Sequence, residues 1–329
     1  PMRRNLSMRV AGLRVLTLTL LAGCSNPPLK ANLGPADGLV EAISLLGDSL
    51  RRPSLPPETM ARMLAQLDTA RRAFDADTGS ADSFIWYGRR TAYLGRYQET
   101  ITIFNFAIDK YPDDPRMYRH RGHRYLTTRQ LDGAVADFKR AAELIAGTPD
   151  EVEPDGQPNA LGIPTSTLHS NIWYHQGLAL YLKGDFAGAL EAYRKDLEVA
   201  TNPDMQVAVR HWLYMTLRRL GRAEEAAEVL EPVTREMKVI ENTAYHRLLL
   251  LYKGELPPDS LVVAGPGEGD PALQDASVGY GLGNWHFYNG REKEARAVWR
   301  RVLETGPWAS FGYLAAEAEL AREAAANAK

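Results

Sequence analysis

The 329-residue sequence holds a single cysteine, Cys24. One thiol cannot close an internal disulfide, and it excludes every zinc or iron–sulfur site built on cysteine clusters. Long hydrophobic runs are also missing: past the first two dozen residues, no stretch reaches the ~18 apolar residues that a membrane span needs. Neither sign of charge is in excess, with 39 Lys and Arg against 41 Asp and Glu. No His-Glu-x-x-His, Gly-x-Ser-x-Gly or Walker sequence occurs. The run Gly265-Pro266-Gly267-Glu268-Gly269-Asp270 lacks the Lys-Ser/Thr of a phosphate cradle and reads as a linker. What remains is ordinary globular usage, 45% hydrophobic and 24% charged, which excludes global disorder and collagen-like structure.

The N-terminus carries an address. Arg3, Arg4, Arg9 and Arg14 come with no acid, an apolar run Val15 to Leu21 follows, and then Leu21-Ala22-Gly23-Cys24. A basic start, a short apolar core and small residues form a secretory signal. The last four residues resemble the lipobox of bacterial lipoprotein precursors. The resemblance implies cleavage before Cys24 and lipid on its thiol. Several acyl chains would meet the requirement of two or more signals for stable anchoring. Ser25 in place of Asp resembles the outer-membrane sorting pattern. Removing residues 1–23 leaves 35 basic against 41 acidic residues, a net −6. Such a chain is a poor nonspecific nucleic-acid binder. The expected location is the cell envelope, facing the periplasm.

Internal repeats dominate the rest. Glycines recur seven apart at Gly88/Gly95, Gly177/Gly184 and Gly283/Gly290. A small residue stands four before a large one at Thr100/Phe104, Ala134/Phe138, Ala189/Tyr193, Ala226/Leu230 and Ala295/Trp299. Phe104 and Phe138 are 34 apart, and Tyr193 lies a further 55, which is one period plus an insertion of 21. Leu131, Ala134, Val135, Phe138, Ala141, Ala142 and Ile145 form a helical stripe. Links such as Gly95-Arg96, Gly184-Asp185, Gly221-Arg222 and Gly290-Arg291 suit tight helix–helix turns. The glycines let paired helices approach closely, with the large residue filling the space beside them.

This pattern resembles the tetratricopeptide repeat, over roughly residues 81–310. The first unit offers Phe84, Tyr87, Gly88, Phe104, Ala107 and Pro112, and the second Tyr118, Gly122, Tyr125, Ala134, Phe138 and Ala141. The unit near 240–262 is degenerate, with Arg247 at the glycine position. The resemblance implies an all-α, right-handed α-solenoid of antiparallel helix pairs. The expected organisation is a signal peptide (1–23), a tether (24–35), an N-terminal helix pair (36–80), and repeats one and two (81–146). An acidic Pro/Gly-rich loop (147–168), repeats three to six (169–310) and a capping helix with a polar outer face (311–329) complete it.

Function is expected to lie on the groove. Residues 81–146 hold eleven Lys and Arg against eight Asp and Glu. In tetratricopeptide arrays the first helix of each unit lines a concave face. The resemblance places Arg89, Arg116, Arg119, His123, Asn171, Tyr174, His211 and Arg218 there, similar to clamps that hold a peptide carboxylate. It implies a protein or peptide partner, acidic in character, with no catalytic residue and no cofactor. Two alternatives stand beside this. His120 and His123, at i and i+3, could begin a metal or enzymatic site on the histidine-rich helices, although Arg119, Arg121 and Arg124 oppose a cation. A closed pocket in place of an open groove would instead point to a receptor for a small ligand or cell-wall fragment. The pairs Asp113-Asp114 and Glu224-Glu225 read as helix-start acids.

Overall fold

The computed structural model describes residues 38–261 and 271–327. The lipobox, Cys24, the tether and the Gly265–Asp270 run lie outside the described residues. The fold is an all-α solenoid with thirteen α-helices and one two-stranded hairpin among the described residues. The hairpin pairs β1 (Val40–Ile43) with β2 (Ser49–Arg51). One helix, α1 (Pro57–Ala76), precedes the repeats. Units one to three are α2 (Ala81–Tyr93) with α3 (Tyr97–Lys110), α4 (Pro115–Thr127) with α5 (Leu131–Leu144), and α6 (Leu168–Lys183) with α7 (Phe186–Val199). Then come α8 (Pro203–Arg219) with α9 (Ala223–Leu230), the unpaired α10 (Thr243–Tyr252), α11 (Pro271–Tyr288) with α12 (Glu292–Thr305), and α13 (Phe311–Asn327).

The crossings form where the sequence puts glycine opposite a ring. A Cβ built on Gly88 would meet the Phe104 ring at 2.6 Å, on Gly122 the Phe138 ring at 3.0 Å, and on Gly177 the Tyr193 ring at 2.6 Å. These rings are fully buried. Packing at interior density leaves no room for a methyl group at Gly88 and Gly177, whereas at Gly122 the Phe138 ring need give only slightly. The turn glycines Gly95, Gly184, Gly221 and Gly290 all hold positive φ, between 71° and 84°. In the second unit Arg129 stands at that turn position with φ 62°. Left-handed backbone is disfavoured for a side chain of this kind by ~1–2 kcal/mol.

The reason for Arg129 lies 188 residues away. Its guanidinium, 3% exposed, pairs with the Glu317 carboxylate of α13, 1% exposed, at 2.7 Å. It also donates to the Thr127 and Trp308 carbonyls at 2.6 and 2.8 Å. Glu317 accepts the Leu45 N–H as well, at 2.6 Å. Glu319 of α13 pairs with Arg219 of α8 and accepts from Tyr280 of α11. The capping helix with a polar outer face is therefore a correction: every residue from Leu314 to Glu319 is buried. α13 lies against α6, α11 and α12, and its acids are charged partners for interior arginines.

The N-terminal helix pair expected over 36–80 is a second correction, since residues 40–51 form the hairpin and α1 alone is helical among the described residues there. Gly47 at φ 96° and Ser44, whose hydroxyl accepts the Leu46 and Asp48 N–H groups, make a turn that a helix cannot pass. Buried Glu41 fastens the hairpin to the start of α3. Its carboxylate accepts from Arg52 Nε and the Gln98 N–H, both at 3.0 Å. Arg96, the residue before α3, offers no side-chain cap, so Glu41 serves that helix end from outside.

Candidate functional site

Residues 147–167 hold no helix; they fold back as a strap, pinned by a bridge between Val152 and Thr167. The strap carries the acids of the insertion over the first helices of units one to three. Glu153, 9% exposed, lies 2.9 Å from Arg119 Nε and 3.9 Å from Arg89. Asn171 Nδ2 donates to the same carboxylate at 3.1 Å. Arg89 also donates to the Pro154 carbonyl at 2.6 Å, and Arg90 to that of Gly156 at 2.9 Å. Three of the predicted groove residues thus converge on one carboxylate, and the chain supplies that carboxylate itself. Burial lowers the pKa of Arg119, opposed by the Glu153 charge.

The other predicted positions are placed differently. Arg116 stays at the start of α4, gripped by Asp114, which accepts at 2.6 to 3.2 Å, and by Asp82 at 2.7 Å; these bonds raise its pKa. Arg218 donates to the Tyr214 hydroxyl at 2.8 Å and the Tyr288 carbonyl at 3.1 Å. His211 is wholly buried and stacked 4.5 Å from Tyr245. Neither of its ring nitrogens has a hydrogen-bond partner among the described residues, and desolvation lowers its pKa to about 3. His120 stacks on Phe104 at 5.5 Å, while His123 faces His175 at 4.6 Å. Burial, then neighbouring arginines, holds both His120 and His123 well below the usual imidazole range. No group of three metal-ligating side chains gathers at them or elsewhere among the described residues.

Beside the clamp the array encloses a cavity of about 460 Å³. Its walls come from α4, α6, α7, α8, α10 and α11, from the end of the strap and from the segment entering α13. Tyr174 anchors one wall: its hydroxyl accepts from Trp212 Nε1 at 2.7 Å and donates to the Tyr245 hydroxyl at 3.3 Å. Phe311 closes another, 5.4 Å from His123, 5.5 Å from His175 and 6.3 Å from Tyr174. Desolvation lowers the His175 pKa to about 3. Asp196 of α7, 1% exposed, lines the floor and accepts the Ser170 hydroxyl at 2.6 Å. A second buried acid, Asp204, holds the approach to α10 by accepting the N–H groups of Ile240, Glu241 and Asn242 at 2.7 to 2.9 Å.

Glu153, Asp196, Tyr245 and Phe311 belong to no motif. One signal for Glu153 is present in the sequence, an insertion with four acids following a segment of net +3. Asp196 carries none: it sits in an ordinary helix, where a carboxylate reads as solvated.

No family model matches the chain. The heat-shock protein cognate (HSC) co-chaperone sgt12 of Aspergillus fumigatus is 23% identical over 200 residues, 61% of this chain and 52% of its own length. Tetratricopeptide repeat protein 16 of Macaca fascicularis is 29% identical over 106 residues, 32% of this chain and 11% of its own length. The chain thus spans about half of the first relative and about a tenth of the second. Among solved structures, a tetratricopeptide repeat protein from Parabacteroides merdae aligns with a TM-score of 0.47 at 13% identity, covering 79% of this chain and 93% of that one. YrrB, a TPR protein with an unusual peptide-binding site, aligns with a TM-score of 0.41 at 14% identity, covering 74% and 96%.

Proposed function

We propose that the protein is a non-catalytic adaptor that engages a protein or peptide partner through a carboxylate. Lipid on Cys24 would hold it in the bacterial cell envelope, facing the periplasm from the outer membrane. The observation that carries the binding reading is the convergence of Arg89, Arg119 and Asn171 on Glu153. A guanidinium and an amide aimed at one carboxylate form a recognition site whatever chain supplies the acid. The strap then keeps the partner's place, and a partner with more than one carboxylate displaces it. The sequence similarity to an HSC co-chaperone supports a protein partner. The lipid anchor rests on the lipobox residues alone.

Capture from solubilised membranes tests the clamp with three baits: wild type, Glu153→Gln, and Glu153→Gln with Arg119→Gln. The double change removes the Glu153 and Arg119 charges together and leaves Arg89 its hydrogen bond to the Pro154 carbonyl. The expected outcome is a protein enriched by Glu153→Gln and lost from the double variant. Identical capture by all three contradicts the reading. Labelling with a fatty-acid probe tests the anchor, and equal labelling of wild type and Cys24→Ala would remove it.

A further inference from the structure

The cavity walled by Tyr174, Tyr245 and Phe311 has a chemistry that the clamp does not use. Among the described residues its lining contains two carboxylates, Asp196 and Glu241, and no lysine or arginine. Glu241 is exposed at the mouth, where it accepts from Asn159 and Thr165 of the strap at 2.6 and 2.8 Å. Asp196 lies deep, and the partner of its carboxylate among the described residues is one hydroxyl, that of Ser170. A carboxylate placed this deep without a cation is costly in its charged form. Buried acids ordinarily have an arginine or lysine beside them, as Glu317 and Glu319 do in this chain. Tyr174, Tyr245 and Phe311 line the same cavity, and the face of an aromatic ring attracts positive charge. The two charged side chains of the described lining are thus both acidic, and they favour a cation over an anion.

We infer that this cavity binds a small organic ammonium ligand, its charged head against Asp196 and its apolar body between Tyr174, Tyr245 and Phe311. The cavity, about 460 Å³, falls within the ~300–1,000 Å³ range of small-molecule sites. Ser170 and Asn171 supply further hydroxyl and amide groups at the lining. The site shares Asn171 and the strap with the carboxylate clamp, but its central acid, Asp196, takes no part there, so it stands or falls without the adaptor reading.

Asp196 also fixes the pH dependence. Desolvation raises its pKa to about 8, with the Asp150 charge adding to the rise and the Ser170 bond opposing it. The titratable groups facing the cavity are His123 on α4, Tyr174 and His175 on α6, Tyr245 on α10 and Glu241 ahead of it. Both imidazoles are driven toward the neutral form, and both phenols toward the protonated form, by burial. An ammonium ligand binds the ionised Asp196, so at lower pH it must expel a proton. Affinity falls by up to tenfold for each unit below about pH 8.

Isothermal titration of the full chain in detergent is the test, with phenethylammonium, butylammonium and tryptammonium as probes. The controls are 2-phenylethanol, which is neutral, and 3-phenylpropionate, which is anionic. The expected result is binding of at least one ammonium probe, at least about tenfold tighter than the alcohol, with no binding of the carboxylate. Affinity should rise between about pH 6 and about pH 8.5, where the amines stay protonated, with proton release at the lower end. Asp196→Asn keeps the size and the Ser170 contact and should lose at least about tenfold in affinity. Glu143→Gln, an exposed acid on α5 away from the lining, should leave it unchanged. Equal binding of alcohol and amine, tighter binding of the carboxylate, a flat pH profile, no effect of Asp196→Asn, or no binding by any ammonium probe would each overturn the inference.

Discussion

Replacing Arg129 by glycine sets two local effects against each other. Glycine takes the left-handed turn freely, so the substitution relieves ~1–2 kcal/mol of backbone strain. Part of that gain is offset, because glycine loses ~0.5–1 kcal/mol more conformational entropy on folding. On the other side stands the pair with Glu317, 3% and 1% exposed, closed at 2.7 and 3.2 Å. Removing one member of a buried pair costs ~3–5 kcal/mol, because the other charge stays buried without it. The guanidinium also lies 5.3 Å from the Trp308 ring centre, and its attraction to the ring face disappears in the glycine variant. The larger effect wins, and Arg129→Gly should destabilise the protein by about 2–5 kcal/mol. Adding Glu317→Gln keeps an acceptor for the Leu45 N–H while removing the stranded charge. The double variant should recover more than about 1 kcal/mol relative to the sum of the single changes. Urea unfolding followed by circular dichroism reads both quantities. An Arg129→Gly protein as stable as wild type would refute the reasoning, and strictly additive variants would show that the pair does not act as a unit.

The helix crossings give a contrast in sign. Gly177→Ala meets the buried Tyr193 ring at 2.6 Å and should lower the melting temperature, whereas Gly122→Ala, at 3.0 Å from Phe138, should be near neutral because alanine's helix propensity offsets the crowding. Equal melts for the two would mean the crossings differ from those described. His211→Phe should raise stability, since it fills the same stacked slot and removes two ring nitrogens without partners. The native His211 pKa of about 3 lies below the ordinary 6.5, so the unfolded chain binds the extra proton between those values. Its stabilising contribution is complete above about pH 6.5 and is lost as the pH falls toward 3. Thermal melts from pH 7 to about 4 should therefore fall less steeply for His211→Phe than for wild type; parallel slopes would remove His211 as a source of acid sensitivity.

The helix pairs are legible in the sequence because their determinants are local. Gly88 with Phe104 and Gly177 with Tyr193 lie within one repeat, and the turn glycines mark where each pair bends. Arg129 breaks that turn pattern, and its partner Glu317 follows no period that links the two positions. The same reason hides the role of α13, whose Ala- and Glu-rich sequence reads as a solvated cap until Arg129 and Arg219 are found beneath it. At the candidate site, Arg89, Arg119 and Asn171 are singled out by the resemblance to the repeat, which places them on the first helices of successive units. Their occupant is not, because an irregular insertion with several prolines carries no periodicity from which the position of Glu153 could be read. The hairpin is hidden by competition: Leu39 to Leu46 is apolar enough for a helix, and the Ser44–Gly47 turn decides against it.

The carboxylate clamp is tested most directly by supplying its occupant from a separate molecule. In a chain whose residues 149–166 are replaced by a short Gly/Ser linker, the clamp is left without Glu153. A synthetic peptide of residues 147–168 should bind this variant in fluorescence anisotropy, less tightly as salt rises. The same peptide with Glu153→Gln should bind at least about tenfold more weakly, and Arg89→Gln with Arg119→Gln in the receiving chain should abolish the difference. Equal binding of the two peptides would contradict the account, since Glu153 would then fill space over the groove without being recognised by it.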